Sequence, residues 1–197
     1  MAPMRARLRR FGLAAAVVVW VALLGACTDD DSPQPPPPTG EADSVALEIS
    51  LGPGAEGLST DARDDLQNDV SAVLSTYVVE GFLGDYPRDD FVDVLDTFTS
   101  GGARKAAQDI EKITGAGFKT AEEVVATRLQ ASISSFAPDR EAEGVSAKVD
   151  FAFGVTEDDS TREVTVRGRL MLTPVDGQWK IFGFDLKTDD PASGAVS

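Results

Sequence analysis

The side chains of this 197-residue chain that could take part in chemistry are one thiol, Cys27, two phenols, Tyr77 and Tyr86, and 33 carboxylates. There is no histidine. Ser-His-Asp and Cys-His nucleophilic catalysis, His-ligated zinc and His-based pH sensing therefore all lack their central group. A single cysteine excludes an intramolecular disulfide and a Cys-cluster metal site. The acids outnumber the 18 Lys and Arg, for a formal net charge of −15. That balance disfavours nucleic acid as a partner, and none is expected, because displacing phosphate counterions takes a basic surface. Much of common enzymology is thereby removed, and modification of the thiol and acid-base work by a carboxylate are the two chemistries the remaining residues suggest.

The position of the thiol favours the first. Residues 1–26 hold Arg5, Arg7, Arg9 and Arg10 with no acid, followed by an apolar run of 14 residues from Phe11 to Leu24. A basic start, a short apolar stretch and small residues after it describe a secretory signal peptide. The run is shorter than the roughly 20 residues that span a bilayer as a helix. Leu24-Gly25-Ala26-Cys27 resembles the lipobox of bacterial lipoproteins. That resemblance implies diacylglyceryl transfer to the Cys27 thiol and cleavage before Cys27, with Leu24, Gly25 and Ala26 recognised by the lipoprotein signal peptidase. The small Gly25 and Ala26 suit an enzyme that must approach this backbone closely. The expected location is the extracytoplasmic face of the cell membrane, with the membrane itself a partner through lipid on Cys27, since two acyl chains give stable anchoring. Removal of 1–26 leaves 14 basic and 33 acidic residues, a formal charge of −19.

Residues 27–44 read as the modified cysteine and a tether. Thr28 to Ser44 (TDDDSPQPPPPTGEADS) has five prolines and no large apolar side chain. It cannot bury enough surface to offset its ordering entropy, so it is expected to stay unfolded. The Pro35–Pro38 run favours polyproline II, and 17 residues at about 3.1 Å each reach roughly 50 Å.

A folded domain is expected over 45–189, with a flexible tail at 190–197. Val45, Leu47, Ile49 and Leu51 alternate with smaller or polar residues, which suggests a short strand ended by Gly52-Pro53-Gly54. Leu66, Val70, Val73, Leu74 and Tyr77 recur at helical spacing and predict a helix over about 60–80, stopped by Gly81. Phe91, Leu95 and Phe98 form a second, shorter stripe broken by Gly101-Gly102. Ala103, Ala106, Ile110 and Ile113 form a third helix ending at Gly115 and Gly117. Period two then takes over. Val145 to Val155, Val164 to Leu172, and a last strand opened by Trp179 and Ile181 after Asp176-Gly177 read as hairpin-linked antiparallel strands. Residues 120–136 fit two readings. A Thr120-x-x-Glu123 capping box with Val125, Leu129 and Ile133 suits a helix, and the β-branched content suits a strand, which is preferred.

Helices followed by antiparallel strands define an α+β class, with N-terminal helices packed on a curved antiparallel sheet of about four strands. That order resembles the nuclear-transport-factor-2-like, cystatin-like superfamily of cone-shaped domains over about 60–189. The ending Asp176-Gly177-Gln178-Trp179-Lys180-Ile181-Phe182-Gly183-Phe184-Asp185 is similar to the last strand of actinobacterial cell-envelope lipoproteins in that superfamily. The stretches Phe98 to Gly115 and Val166 to Leu170 resemble the same lipoproteins.

Enzymatic members of the superfamily place an acid in an apolar mouth that raises its pKa. Asp185 is the candidate here, and strict alternation puts it on the Trp179 and Ile181 side of the last strand. No motif of those enzymes is matched, so no catalytic residue is assigned, and no cofactor or metal is expected. Asp89, Asp93 and Asp96, and the Glu157-Asp158-Asp159 turn, offer oxygens for calcium but match no EF-hand spacing and read as solvated faces. Phe151, Phe153, Phe182 and Phe184 could line a ligand cavity, and a filled core is the preferred reading. Phe182 and Phe184 fall opposite Trp179 and Ile181, however, so both sides of that strand are apolar. That pattern implies a bulge or an exposed patch. Trp179, Phe182, Phe184 and Asp185 are therefore the candidate ligand or partner surface. The functional expectation is a non-catalytic binding or accessory module for an apolar ligand, an envelope protein or a second copy of the chain. The alternative is a carboxylate-dependent, isomerase- or cyclase-like enzyme.

Overall fold

The structure, a computed structural model, describes residues 45–194. Its elements run β1 (Glu48–Leu51), α1 (Thr60–Phe82), α2 (Ser100–Gln108), α3 (Ile110–Ile113), β2 (Glu123–Phe136), β3 (Gly144–Glu157), β4 (Ser160–Val175) and β5 (Gln178–Asp189). The class is α+β, as the sequence indicates. The sheet differs from the expectation in two respects. It has five strands in the order β1-β2-β3-β4-β5, and it is mixed, because β1 lies parallel to β2 while the other pairs are antiparallel.

The parallel pairing follows from connectivity. The chain leaves β1, forms the helices and returns as β2, and that kind of crossover joins parallel neighbours, whereas a hairpin cannot. Gly52-Pro53-Gly54 fastens the strand to its neighbour. The Gly52 N–H donates to the Ile133 carbonyl at 2.7 Å, and the Ser135 N–H donates to the Pro53 carbonyl at 3.0 Å. Gly54 has φ 91°, and a Cβ there would fall 1.9 Å from the Ser135 carbonyl oxygen, so only glycine fits this turn.

Helix α1 begins at Ser59, whose hydroxyl accepts from the Ala62 N–H at 3.2 Å. It buries Leu66, Val70, Leu74, Tyr77, Val78 and Phe82. The helix runs through Gly81 rather than stopping there. A glycine costs only about 1 kcal/mol inside a helix, and the apolar stripe continues to Phe82. Gly101 and Gly102 likewise do not break the chain; they lie in the first turn of α2, capped by the Thr99 hydroxyl. A Cβ on Gly102 would approach the Ile181 carbonyl oxygen to 2.7 Å, so the missing side chain lets the helix seat against β5. The expected third helix is divided at Asp109. The Phe91–Phe98 stripe is a 3₁₀ run, Val92–Thr97, between two buried phenylalanines. Residues 123–136 are strand, and Thr120 donates to Glu157 Oε1 at 3.2 Å in place of capping a helix.

The helices cover one face of the sheet. On that face Val149, Phe151 and Phe153 of β3, Val166, Leu170 and Leu172 of β4, and Ile181 of β5 are buried, all at 2 % exposure or less. Phe82 stacks on Phe153 with 4.7 Å between ring centroids. The Tyr77 hydroxyl donates to the Ile113 carbonyl at 2.5 Å, and burial pushes its pKa far above the ordinary phenol range. Past β5, Arg162 holds Asp190 at 2.9 Å and Glu157 at 2.6 Å, and Pro191–Gly194 forms a 3₁₀ turn.

Candidate functional site

The last strand carries all four residues of the candidate surface, and one irregularity decides where each points. Along β4 and β5, Leu170 faces Phe184, Met171 faces Gly183, and Leu172 faces Ile181, so Phe182 is an extra residue without a partner. This is a β-bulge, which inverts the parity of everything beyond it. The expectation of a bulge holds, but two side assignments made by strict alternation do not. Phe184 lies on the helix side with Ile181, not with Phe182. Its ring meets Phe98 edge-on at 6.1 Å, and the Lys105 ammonium sits 5.0 Å from its centroid. Asp185 lies on the open face, opposite Arg169, and not on the Trp179 side.

Trp179, opposite Pro174, stays on the helix side and lines a groove of about 420 Å³ with Asp69, Val73, Thr76 and Asp96. Lys180 closes its edge, donating to the Asp96 carbonyl at 2.6 Å. The four residues thus divide into two pairs on opposite faces. They do not form one site.

The open face has its own composition. At its end nearest the β4–β5 turn, Phe182 lines a groove of about 380 Å³ with Ser134, Phe136, Val145, Ser146 and Met171. Phe136 is 64 % exposed and Phe182 50 %. Phe136 and Met171 belong to this site and were not singled out from the sequence. The available signal was parity: Phe136 continues the exposed series Ser132 and Ser134, and Met171 continues Arg167 and Arg169.

Two residues along each strand the surface becomes charged. Ser132, Lys148, Arg169 and Asp185 form one cross-strand row, and Gln130, Asp150, Arg167 and Lys187 the next. Asp150 receives Arg128 Nη2 at 2.9 Å and Arg167 Nε at 3.3 Å. Partial burial pushes its carboxyl pKa up, but the hydrogen bonds from Arg128 and then Arg167 outweigh that and leave it below the ordinary value. Lys148 and Arg169 are exposed and have no ion pair among the described residues. A polar groove of about 580 Å³, lined by Glu48, Ser50, Gln130, Ser132, Lys148 and Asp150, continues toward β1.

The interior of the domain offers no carboxylate among the described residues; its buried polar side chains are Tyr77, Thr97, Thr114 and Thr165. Tyr86 donates to the Phe82 carbonyl at 2.9 Å, and burial pushes its pKa up to about 12 against the opposing effect of Arg88. Asp89, Asp93 and Asp96 do not share a helical face, since Asp89 precedes the 3₁₀ run and pairs with Lys119 at 3.5 Å. Glu157 is held by Arg162, and Asp158 and Asp159 form the left-handed turn between β3 and β4. No group of three or more His, Cys, Asp or Glu among the described residues could hold a metal ion. No helix among the described residues is long and apolar enough to cross a membrane. Leu24, Gly25, Ala26 and Cys27 lie outside the described residues.

No protein-family model matches the chain, and no curated protein does. One solved structure with a detectable likeness is a putative calcium/calmodulin dependent protein kinase II association domain from Xanthomonas campestris. It is 11 % identical, with 74 % of this chain and 97 % of that chain covered, at a TM-score of 0.42. Likeness of that degree assigns no activity to this chain.

Proposed function

We propose that the chain is a lipid-anchored lipoprotein of the extracytoplasmic face of the cell membrane. Its folded domain is a non-catalytic binding or accessory module for an apolar ligand or an envelope partner. The observation that carries the binding reading is Phe182. A bulge turns this phenyl ring out of a strand whose neighbours Ile181 and Phe184 are both taken into the core side, and sets it beside the exposed Phe136. A contiguous exposed apolar patch, as distinct from single scattered apolar residues, is a feature of contact surfaces. The anchoring reading is supported by Leu24-Gly25-Ala26-Cys27 after a basic, apolar leader and before a proline-rich tract. The finer fold reading, a nuclear-transport-factor-2-like cone of the actinobacterial lipoprotein kind, is supported by helices preceding a meander with one face that no described helix covers. A carboxylate-dependent enzyme draws no support from Asp185, which stands on the open face beside Arg169.

The test is expression of the full chain and its Cys27→Ala variant in a lipoprotein-processing bacterium. It uses metabolic labelling with an alkyne fatty acid, membrane fractionation and native mass spectrometry of the extracted protein. The expected result is label and membrane association for the parent, neither for the variant, and a mass above that of the acylated monomer. Equal labelling of the two would sink the anchor. A bare acylated monomer in every preparation would sink the binding reading.

A further inference from the structure

Resting on the binding reading above, we propose that the open sheet face takes a single-chain amphiphile with an anionic head. Its tail lies in the groove between Phe136 and Phe182, and its head meets Lys148 and Arg169.

The groove supplies the first half. Its volume of about 380 Å³ lies within the range of small-molecule sites. Phe136 and Phe182 border it, and Met171, an adaptable apolar side chain, lies between them on β4. A whole aromatic side chain buries roughly 150–250 Å², so two partly exposed rings and a methionine offer roughly 300 Å² of apolar contact. A stable protein–protein interface buries about 800 Å² on each partner, a little over half of it apolar, hence about 450 Å² of apolar contact. The apolar part of this face is the size of a tail, not of a protein.

The charges supply the second half. Lys148 and Arg169 are direct cross-strand partners, two residues along β3 and β4 from Ser146 and Met171 in the groove, hence about 7 Å away. Like charges directly opposite each other destabilise a strand pair unless an anion lies between them. The nearest acid in the neighbouring row, Asp150, is already shared by Arg128 and Arg167, and Asp185 flanks Arg169 alone. The two rows beside the groove carry Lys148, Arg167, Arg169 and Lys187 against Glu48, Asp150 and Asp185; ion pairs join Arg128 to Asp150 and Asp189 to Arg167, so five cations face four acids. This local cationic excess sits in a described chain of 14 basic and 28 acidic residues. An anionic head is repelled by the remainder of the surface and accepted here, which orients the molecule as well as binding it. The guanidinium of Arg169 suits a carboxylate or a phosphate head equally.

The test adds long-chain photoreactive probes to the full chain in the presence of neutral phosphatidylcholine vesicles. The probes are a carboxylate, an alkyl phosphate and the corresponding alcohol, and the labelled peptides are mapped. The expected label of at least one anionic probe falls on the segments containing Phe136, Met171 and Phe182. It exceeds the alcohol label about tenfold and drops about tenfold in Phe182→Ser and in Lys148→Glu/Arg169→Glu. All three positions are exposed, and thermal melting checks that each variant is folded; Lys148→Gln/Arg169→Gln, which sets no like charges opposite each other, gives the same drop in label if the glutamate pair unfolds. Preference for the carboxylate or for the phosphate identifies a fatty acid or a phospholipid-like head as the source. Equal labelling by the alcohol, label scattered over the surface, or cross-linking of a second copy or another protein through this face overturns the amphiphile. The last outcome does so while leaving the binding reading intact.

Discussion

Ile181 and Phe184, three residues apart on β5, face the same side of the sheet, opposite Leu172 and Leu170. In a regular strand they would point to opposite faces. The spare residue between them, Phe182, absorbs the difference and is half exposed, whereas Ile181 is fully buried. The stability costs should follow. Ile181→Ala is expected to cost about 2–5 kcal/mol, as a core truncation does, and Phe182→Ser under about 0.5 kcal/mol, as an exposed position does. Phe184→Ala falls between, because its ring packs on Phe98. Urea denaturation of the three variants decides it. Equal costs at Phe182 and Phe184 would mean that the strand alternates regularly.

The same bulge marks the limit of what the sequence discloses. The class, the long helix and most strand positions follow from periodicity, because a buried stripe such as Leu66, Val70, Leu74 and Tyr77 has one reading; β2 is the exception, since its spacing fits a helix as well and only its β-branched content favours a strand. The faces of β5 do not follow, because alternation is a rule about parity and one unpaired residue reverses it. The apolar residues on both sides of β5 flagged the irregularity without saying which residue was spare. Phe136 and Met171 escaped for a related reason: each closes a run of otherwise polar positions, and only the cross-strand register brings them to Phe182. β1 was legible as a strand but not as a parallel one, since its partner is 82 residues further on, as in Ile49 with Ala131.

The chain's two tyrosines give a pH prediction. Burial raises the phenol pKa of Tyr77 far above its ordinary value and that of Tyr86 to about 12. Folded pKa values above the unfolded value of about 10 mean that the folded state holds its protons longer. The stability this contributes is complete below about pH 10 and is lost as pH rises toward the folded values. Alkaline titration should show phenolate absorbance appearing together with loss of the folded circular dichroism signal. A phenolate transition centred near pH 10 in a protein still folded would contradict the burial of both rings.

Two carboxylates held by arginine separate a surface contact from a sheltered one. Asp150 is 42 % exposed at its side chain and Asp190 12 %. Both have lowered pKa values: burial raises each, and the arginine hydrogen bonds, with the Ala192 N–H for Asp190, outweigh it. A depressed folded value means a contribution present above the ordinary carboxylate pKa and lost as pH falls below it. Asp150→Asn should cost under about 1 kcal/mol and lose its effect at high salt. Asp190→Asn should cost about 1.5–3 kcal/mol, since it weakens charged hydrogen bonds to a partly buried Arg162. Melting temperatures at neutral pH and at pH 3 test both, and the gap between variants and parent should narrow in acid.

The turn that follows β1 gives the sharpest structural test. β1 pairs with β2 over Glu48–Leu51, and Ile49 and Leu51 pack against the core. The turn adds to this, because Gly54 adopts φ 91° and lets the Pro53 carbonyl accept from Ser135. Gly54→Ala puts a methyl group against the Ser135 carbonyl oxygen in a backbone region that an L side chain enters at about 1–2 kcal/mol even without a clash. The turn must therefore move, and with it the two hydrogen bonds to Ile133 and Ser135. The expected outcome is a loss of about 2–3 kcal/mol, with faster amide exchange at Ser135 and unchanged exchange in the β3–β4 pair, whose register does not involve β1. Gly57→Ala, where no atom lies within 4 Å of the added carbon, serves as the control and should be close to neutral. Uniform acceleration across the whole sheet in Gly54→Ala would show that β1 is integral to the cooperative core and not a strap laid along the edge of β2.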